Sequence, residues 1–221
     1  MTSRGGASQN RRFVCFSCWC FPFGYNPIDA TLDATGGAED KGFLWKIGDG
    51  DWKVELNGHE DSVSCLAFSA DGQLLASGGV GATVRIWDSS GHHRHKLEDA
   101  SSSSEVEWHP RRPFALAGST DCIASMWDAE KGVLLNAFYG HGGSVTCGDF
   151  TPDDHIICTG STDATLRIWD AIRSEAIHVV RVDFAFDSIS ASHFLFHCQA
   201  RNSPLRFPIT ENRGYTTCLL N

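Results

Sequence analysis

A short phrase ending in tryptophan and, usually, aspartate returns four times along this chain: Leu44-Trp45-Lys46, Ile86-Trp87-Asp88, Met126-Trp127-Asp128 and Ile168-Trp169-Asp170. The tryptophans stand 42, 40 and 42 residues apart. Two of them are preceded at a fixed distance of 28 residues by a Gly-His pair, Gly58-His59 and Gly140-His141. The text in between also matches. Val63-Ser64-Cys65-Leu66-Ala67-Phe68 finds its counterpart in Val145-Thr146-Cys147-Gly148-Asp149-Phe150. Each unit reads as short alternating strands separated by turn residues. A supersecondary unit repeated at this period cannot bury its apolar faces alone and must stack on its neighbours. The repeat therefore implies an all-β array.

Composition narrows the setting. The chain has 221 residues, 42% of them hydrophobic, with 22 glycines. No apolar run reaches the roughly 18–20 residues that span a bilayer, because the longest, Phe13 to Tyr25, is cut by Ser17, Pro22 and Gly24. Nine cysteines, an odd number, are scattered rather than patterned, which suits a reducing compartment. Residues 4–21 imitate a secretory leader, with Arg4, Arg11 and Arg12 before an apolar stretch, but no small-X-small cleavage site follows. A cytoplasmic location is expected, with a nuclear one as the alternative.

The formal net charge of −9 is unevenly placed: residues 1–28 carry +3 and residues 182–221 are neutral, so residues 29–181 hold −12. Nucleic acid as a direct ligand is disfavoured, since phosphate contacts need clusters of Lys and Arg. A basic protein partner fits better.

With its period of about 40 to 45 residues, Gly-His opening and Trp-Asp close, residues 30–181 resemble the WD-repeat β-propeller family. The resemblance implies four antiparallel strands per blade and radial stacking of the blades. The expected fold is all-β: a partial WD-repeat β-propeller of about three and a half four-stranded blades, open rather than closed into a ring. The expected organisation is a non-family N-terminal segment (1–22), a propeller fragment (23–181, units ending near Trp45, Trp87, Trp127 and Trp169) and a non-family C-terminal tail (182–221). The unmatched ends read as a truncated or alternative gene model. Open blade faces would expose apolar surface and favour self-association or poor solubility.

The resemblance also implies a polar network in each blade, in which a carboxylate orients an imidazole that is relayed through a hydroxyl to the indole N–H. The fourth unit carries the whole set as His141, Thr159, Asp163 and Trp169. The second keeps His59, Ser77 and Trp87 but has Gly81 where the aspartate belongs. The third has Asp121 and Trp127, with Asp99 and Ala117 in place of the His and the hydroxyl. The first offers Thr35, Glu39 and Trp45. Stability is expected to fall from the fourth blade towards the first.

A Ser-His-Asp trio invites a catalytic reading, but an active site is made once, whereas this set recurs at blade period. No phosphate loop, nucleophile elbow or His-Glu-X-X-His motif is present. The chain is expected to be no enzyme and to need no cofactor. Cys15-X-X-Cys18-X-Cys20 lacks a second ligand pair for zinc, and His92-His93-Arg94-His95 reads as a solvated turn, so no metal is expected. Ser101–Ser104 reads as a flexible loop.

Finer wording, such as Asp40-Lys41-Gly42-Phe43-Leu44-Trp45 and Glu107-Trp108-His109-Pro110-Arg111, resembles the angio-associated migratory cell protein group. That group includes a dedicated chaperone for a large-subunit ribosomal protein. The resemblance implies a non-catalytic scaffold or adaptor that shields a basic ribosomal client. The alternatives are a receptor or scaffold subunit of a ubiquitin-ligase, trafficking or signalling complex and, more remotely, an enzyme on a propeller scaffold. Carried over from the family, the partner-binding positions are Glu60, Asp61, Val80, Thr120, Gly142 and Thr162.

Overall fold

A computed structural model describes residues 23–29, 31–37, 40–46, 52–81, 83–97, 103–151 and 155–181. The terminal segments 1–22 and 182–221, with Cys15, Cys18 and Cys20, lie outside them, as do Glu39, Asp99, Ser101 and Ser102.

Buried and half-buried residues alternate at period two in Leu32–Gly36, whereas Leu74–Gly79, Phe114–Ser119 and Ile156–Ser161 are buried on both faces. The described residues form sixteen strands in four antiparallel sheets of four. The first holds β1 (Phe23–Tyr25), β2 (Leu32–Gly36), β3 (Lys41–Lys46) and β4 (Trp52–Asn57); the second β5 (Val63–Phe68), β6 (Leu74–Gly79), β7 (Val84–Asp88) and β8 (His93–Leu97). The third holds β9 (Ser103–Trp108), β10 (Phe114–Ser119), β11 (Ile123–Asp128) and β12 (Val133–Tyr139); the fourth β13 (Val145–Phe150), β14 (Ile156–Ser161), β15 (Thr165–Asp170) and β16 (Ala176–Arg181). Strand order within each sheet follows chain order. The first strands of successive sheets lie against one another, β1 on β5, β5 on β9 and β9 on β13, so these line the inner side of an open series of blades.

Two expectations change in detail. The first unit is completed by β1 and β2, making four sheets where about three and a half blades were expected. Ser103 and Ser104 open strand β9 instead of belonging to a loop, and His93 to His95 lie on strand β8, with only His92 left in the turn.

No blade has a core of its own. One cluster joins Leu32, Ala34, Leu44 and Leu56 of the first blade to Val63, Phe68, Leu75 and Trp87 of the second. A second joins Ala76, Ile86 and Leu97 to Val106, Trp108 and Trp127. The third joins Leu116, Met126 and Phe138 to Val145, Ile157 and Trp169. Each core is thus an interface, and the repeat tryptophan of a blade packs against the blade before it. Trp87, Trp127 and Trp169 are 2%, 2% and 1% exposed, whereas Trp45, with no described blade before it, is only half-buried.

A register shift falls at each of these tryptophans in the pairing of the third and fourth strands: Leu44/Trp45, Ile86/Trp87, Met126/Trp127 and Ile168/Trp169. A bulge of this kind re-aims a side chain, and here it falls where the indole must turn inwards.

Polar latches fasten neighbouring blades. Asn26 Nδ2 donates to the carbonyl of Gly72 at 2.8 Å, while Asn26 Oδ1 accepts from the amides of Ile28 and Asp29. Trp108 Nε1 donates to the carbonyl of Ala67 at 2.8 Å, and Asn136 Nδ2 donates to the carbonyl of Ala171. Asn26 is buried, so removing its amide strands the carbonyl of Gly72. Asn26→Ala is expected to cost about 1–3 kcal/mol of unfolding free energy in a urea titration.

Candidate functional site

The fourth blade shows what the repeated polar residues do. Trp169 on β15 points its indole N–H at Thr159 Oγ1 on the adjacent strand β14, 2.8 Å away. The same hydroxyl lies 2.8 Å from His141 Nε2. On the far side of the imidazole, Nδ1 sits 3.2 Å from Asp163 Oδ2 and 3.0 Å from Thr165 Oγ1. A carboxylate only accepts, so the ring proton is on Nδ1 and Nε2 takes the Thr159 hydroxyl proton. The Asp163 carboxylate also receives the amide of Gly142 at 2.7 Å and both the amide and hydroxyl of Thr165, at 2.8 and 2.6 Å.

The electrostatics follow from these bonds. Burial by itself would raise the Asp163 carboxyl, but the hydrogen bonds from Thr165 and Gly142 and the nearby His141 hold it well below the usual carboxylate range. His141 is pushed below the ordinary imidazole value, burial outweighing the opposing pull of Asp163. The imidazole is a neutral strut near neutral pH, packed edge-on against Trp169 at 6.0 Å.

The other blades keep parts of this arrangement. In the second, Trp87 Nε1 donates to Ser77 Oγ at 2.8 Å and Ser77 Oγ lies 2.7 Å from His59 Nε2. His59 Nδ1 and Thr83 Oγ1, the counterparts of His141 Nδ1 and Thr165 Oγ1, are buried and have no hydrogen-bond partner. Both would meet the carboxylate that Gly81 lacks. In the first blade Trp45 Nε1 donates to Thr35 Oγ1 at 2.7 Å. In the third, Ala117 offers no hydroxyl to Trp127, and Asp121 is exposed, its amide donating to Ser119 Oγ at 3.0 Å.

Reading the residues as a network missed the job of the aspartate that follows Trp87, Trp127 and Trp169. Asp88 Oδ1 accepts the amides of Ser90 and His92, Asp128 Oδ1 those of Glu130 and Lys131, and Asp170 Oδ1 those of Ile172 and Arg173. The pair is thus two devices, an indole for the core and a carboxylate that closes the turn to the outer strand. An acidic residue followed three or four positions later by Gly91, Gly132 or Ser174, each at positive φ, is the sequence signal for it. Glycine before the network histidine is equally specific: Gly58 and Gly140 have φ of +130° and +146°.

The six candidate partner residues are all exposed. They cluster on the turns at one end of the blades. The amide of Val80 donates to the carbonyl of Ser62 at 3.0 Å, and that of Thr162 to Ser144 at 2.9 Å, tying the turn between second and third strands to the segment that opens the blade. Ser144 Oγ reaches the carbonyl of Thr120, and the amide of Val63 reaches Gly37, so these ends adjoin from blade to blade. Glu60 pairs with Lys96 at 3.5 Å, and Asp61 Oδ1 accepts the Ser62 amide at 2.6 Å. Among the described residues no group of His, Cys, Asp and Glu could hold a metal ion. No helix there is long and apolar enough to cross a membrane.

Burial, then Arg85 and His93, lower His59 to about 4. Its folded value lies below its unfolded one, so the unfolded chain binds more protons between those values. Stability is therefore complete above about pH 6.5 and declines as pH falls towards 4. Gly81→Asp supplies the acceptor: it is expected to raise unfolding free energy at pH 7 by about 1–3 kcal/mol and to flatten that decline, as measured by urea titrations between pH 4 and 7.

A family model for the WD domain, G-beta repeat, matches residues 50–88 and 132–170. These are the second and fourth units, the two with both Gly-His and Trp-Asp. The chain is 36% identical over 169 residues to the angio-associated migratory cell protein of Homo sapiens, covering 76% of this chain and 39% of that protein. It is 34% identical over 138 residues to protein tipD of Dictyostelium discoideum, covering 62% of this chain and 22% of that one. It is 28% identical over 159 residues to the small ribosomal subunit protein RACK1y of Oryza sativa subsp. japonica, covering 68% of this chain and 46% of that one. The chain thus spans less than half the length of each. With four sheets of four antiparallel strands, a tryptophan bulge in every blade and family matches on two of its units, the chain is built of WD repeats.

Proposed function

We propose that this chain is a non-catalytic binding module that engages a basic protein client through the blade ends carrying Glu60, Asp61, Val80, Thr120, Gly142 and Thr162. WD-repeat chains typically serve as protein-interaction scaffolds. The observation that carries the finer reading is charge: residues 29–181 hold −12, and the six exposed turn residues include two carboxylates and no cation. The recurring His, Thr and Trp groups are occupied with one another, which leaves surface turns rather than a pocket of spare nucleophiles to carry out the function.

The client we favour is a basic ribosomal protein, shielded before it joins the large subunit. One relative is by name a small ribosomal subunit protein, and another is named angio-associated migratory cell protein, the group whose wording the sequence resembles. A cytosolic or nuclear location accompanies this role.

Reversing both carboxylates, with Glu60→Lys and Asp61→Lys in the full chain, tests the electrostatic part. Affinity for a lysine-rich peptide should fall about five- to tenfold at low salt, with the deficit shrinking as salt rises. Affinity for an uncharged peptide of equal length should be unchanged. Equal affinity of the variant and the parent for the lysine-rich peptide would remove this reading.

A further inference from the structure

The second blade contains a socket whose plug is missing. Its backbone follows that of the fourth: the amide of Val80 donates to Ser62 as that of Thr162 donates to Ser144, at 3.0 and 2.9 Å. Gly81 stands six residues before Trp87, as Asp163 stands six before Trp169. In the fourth blade the carboxylate there collects donors from His141, Thr165 and Gly142. In the second, the corresponding His59 and Thr83 are 7% and 6% exposed, and His59 Nδ1 and Thr83 Oγ1 are buried without a partner.

Both are donors. Ser77 Oγ accepts the Trp87 N–H, and its own proton goes to His59 Nε2 at 2.7 Å, which leaves the ring proton on Nδ1. Two buried N–H and O–H groups without acceptors cost free energy that an acceptor would restore. A Cβ built on Gly81 meets nothing nearer than 3.4 Å, where the Asp61 amide and Glu60 Cβ lie, and the glycine is half-buried beside the exposed Glu60, Asp61 and Val80, so a carboxylate would reach the buried donors by displacing this turn.

We propose that the position vacated at Gly81 binds a carboxylate, held by His59 Nδ1–H and the Thr83 hydroxyl. The nearby acids do not close it. Glu60 is paired with Lys96, the Asp61 side chain is turned back onto Ser62, and Arg85 lies close enough to His59 to influence its proton. The ligand is either a free small acid or an aspartate or glutamate of a bound protein; the chemistry of recognition is the same. The socket borders Glu60, Asp61 and Val80, three of the positions proposed to meet the client, but it is argued from the geometry of the second blade and does not rest on that reading.

The test follows the His59 ring nitrogens by NMR in the full chain with labelled histidine, as sodium formate replaces sodium chloride at constant ionic strength. A saturable shift of the Nδ1 resonance is expected, with His141 unmoved. Gly81→Asp should weaken the response at least tenfold, because its own carboxylate fills the socket, and Thr83→Val should weaken it at least threefold by removing one donor. Formate behaving like chloride, or Gly81→Asp and Thr83→Val both titrating like the parent, would overturn the proposal. Competition then identifies the source: N-acetyl-aspartate amide displacing formate, while N-acetyl-asparagine amide does not, assigns the socket to a protein side chain. Formate binding without such displacement assigns it to a free small acid.

Discussion

A single hydroxyl, Thr159 in the fourth blade and Ser77 in the second, receives the indole N–H of one strand and meets the imidazole of a distant turn. It gives the indole N–H an acceptor in a core made of Leu, Ile, Val and Phe. The tryptophan enters the interface with the preceding blade and the Gly-His turn is fastened above it. In the second and fourth blades strand pairing, blade stacking and the position of the exposed turns therefore share one anchor, whereas Trp127, facing Ala117, is buried without it.

The molecule is a series rather than a globule with one centre. Each core lies between blades, so every blade depends on its neighbour for burial. Trp45 shows the consequence, being half-buried where the other three repeat tryptophans are sealed. The open blade series also places a repeated row of turns side by side at one end, which is the geometry a binding module needs.

Much of this was legible in the sequence, because period and residue type are local signals. The tryptophan spacing located all four units, and the Gly-His to Trp interval marked which two would hold an imidazole. The strand β1 and the strand character of Ser103 and Ser104 were not legible. A three-residue strand pairs through tertiary contact with β2, and a serine run has weak strand preference of its own. The latches made by Asn26, Trp108 and Asn136 were hidden too, since each reaches a carbonyl 35 or more residues away and a carbonyl has no residue signature. The unfilled position at Gly81 could be named from spacing alone, but only the unpartnered His59 Nδ1 and Thr83 Oγ1 showed that its donors remain in place.

The first and fourth blades each have one described neighbour and differ in their networks, Trp45–Thr35 against Trp169–Thr159–His141–Asp163. Native-state hydrogen exchange at matched positions compares the two blades directly. If the polar network anchors the blade, the amides of Cys158 and Thr159 on β14 exchange at least tenfold more slowly than those of Ala34 and Thr35 on β2. Equal protection in the two blades, or faster exchange in the fourth, would contradict the account.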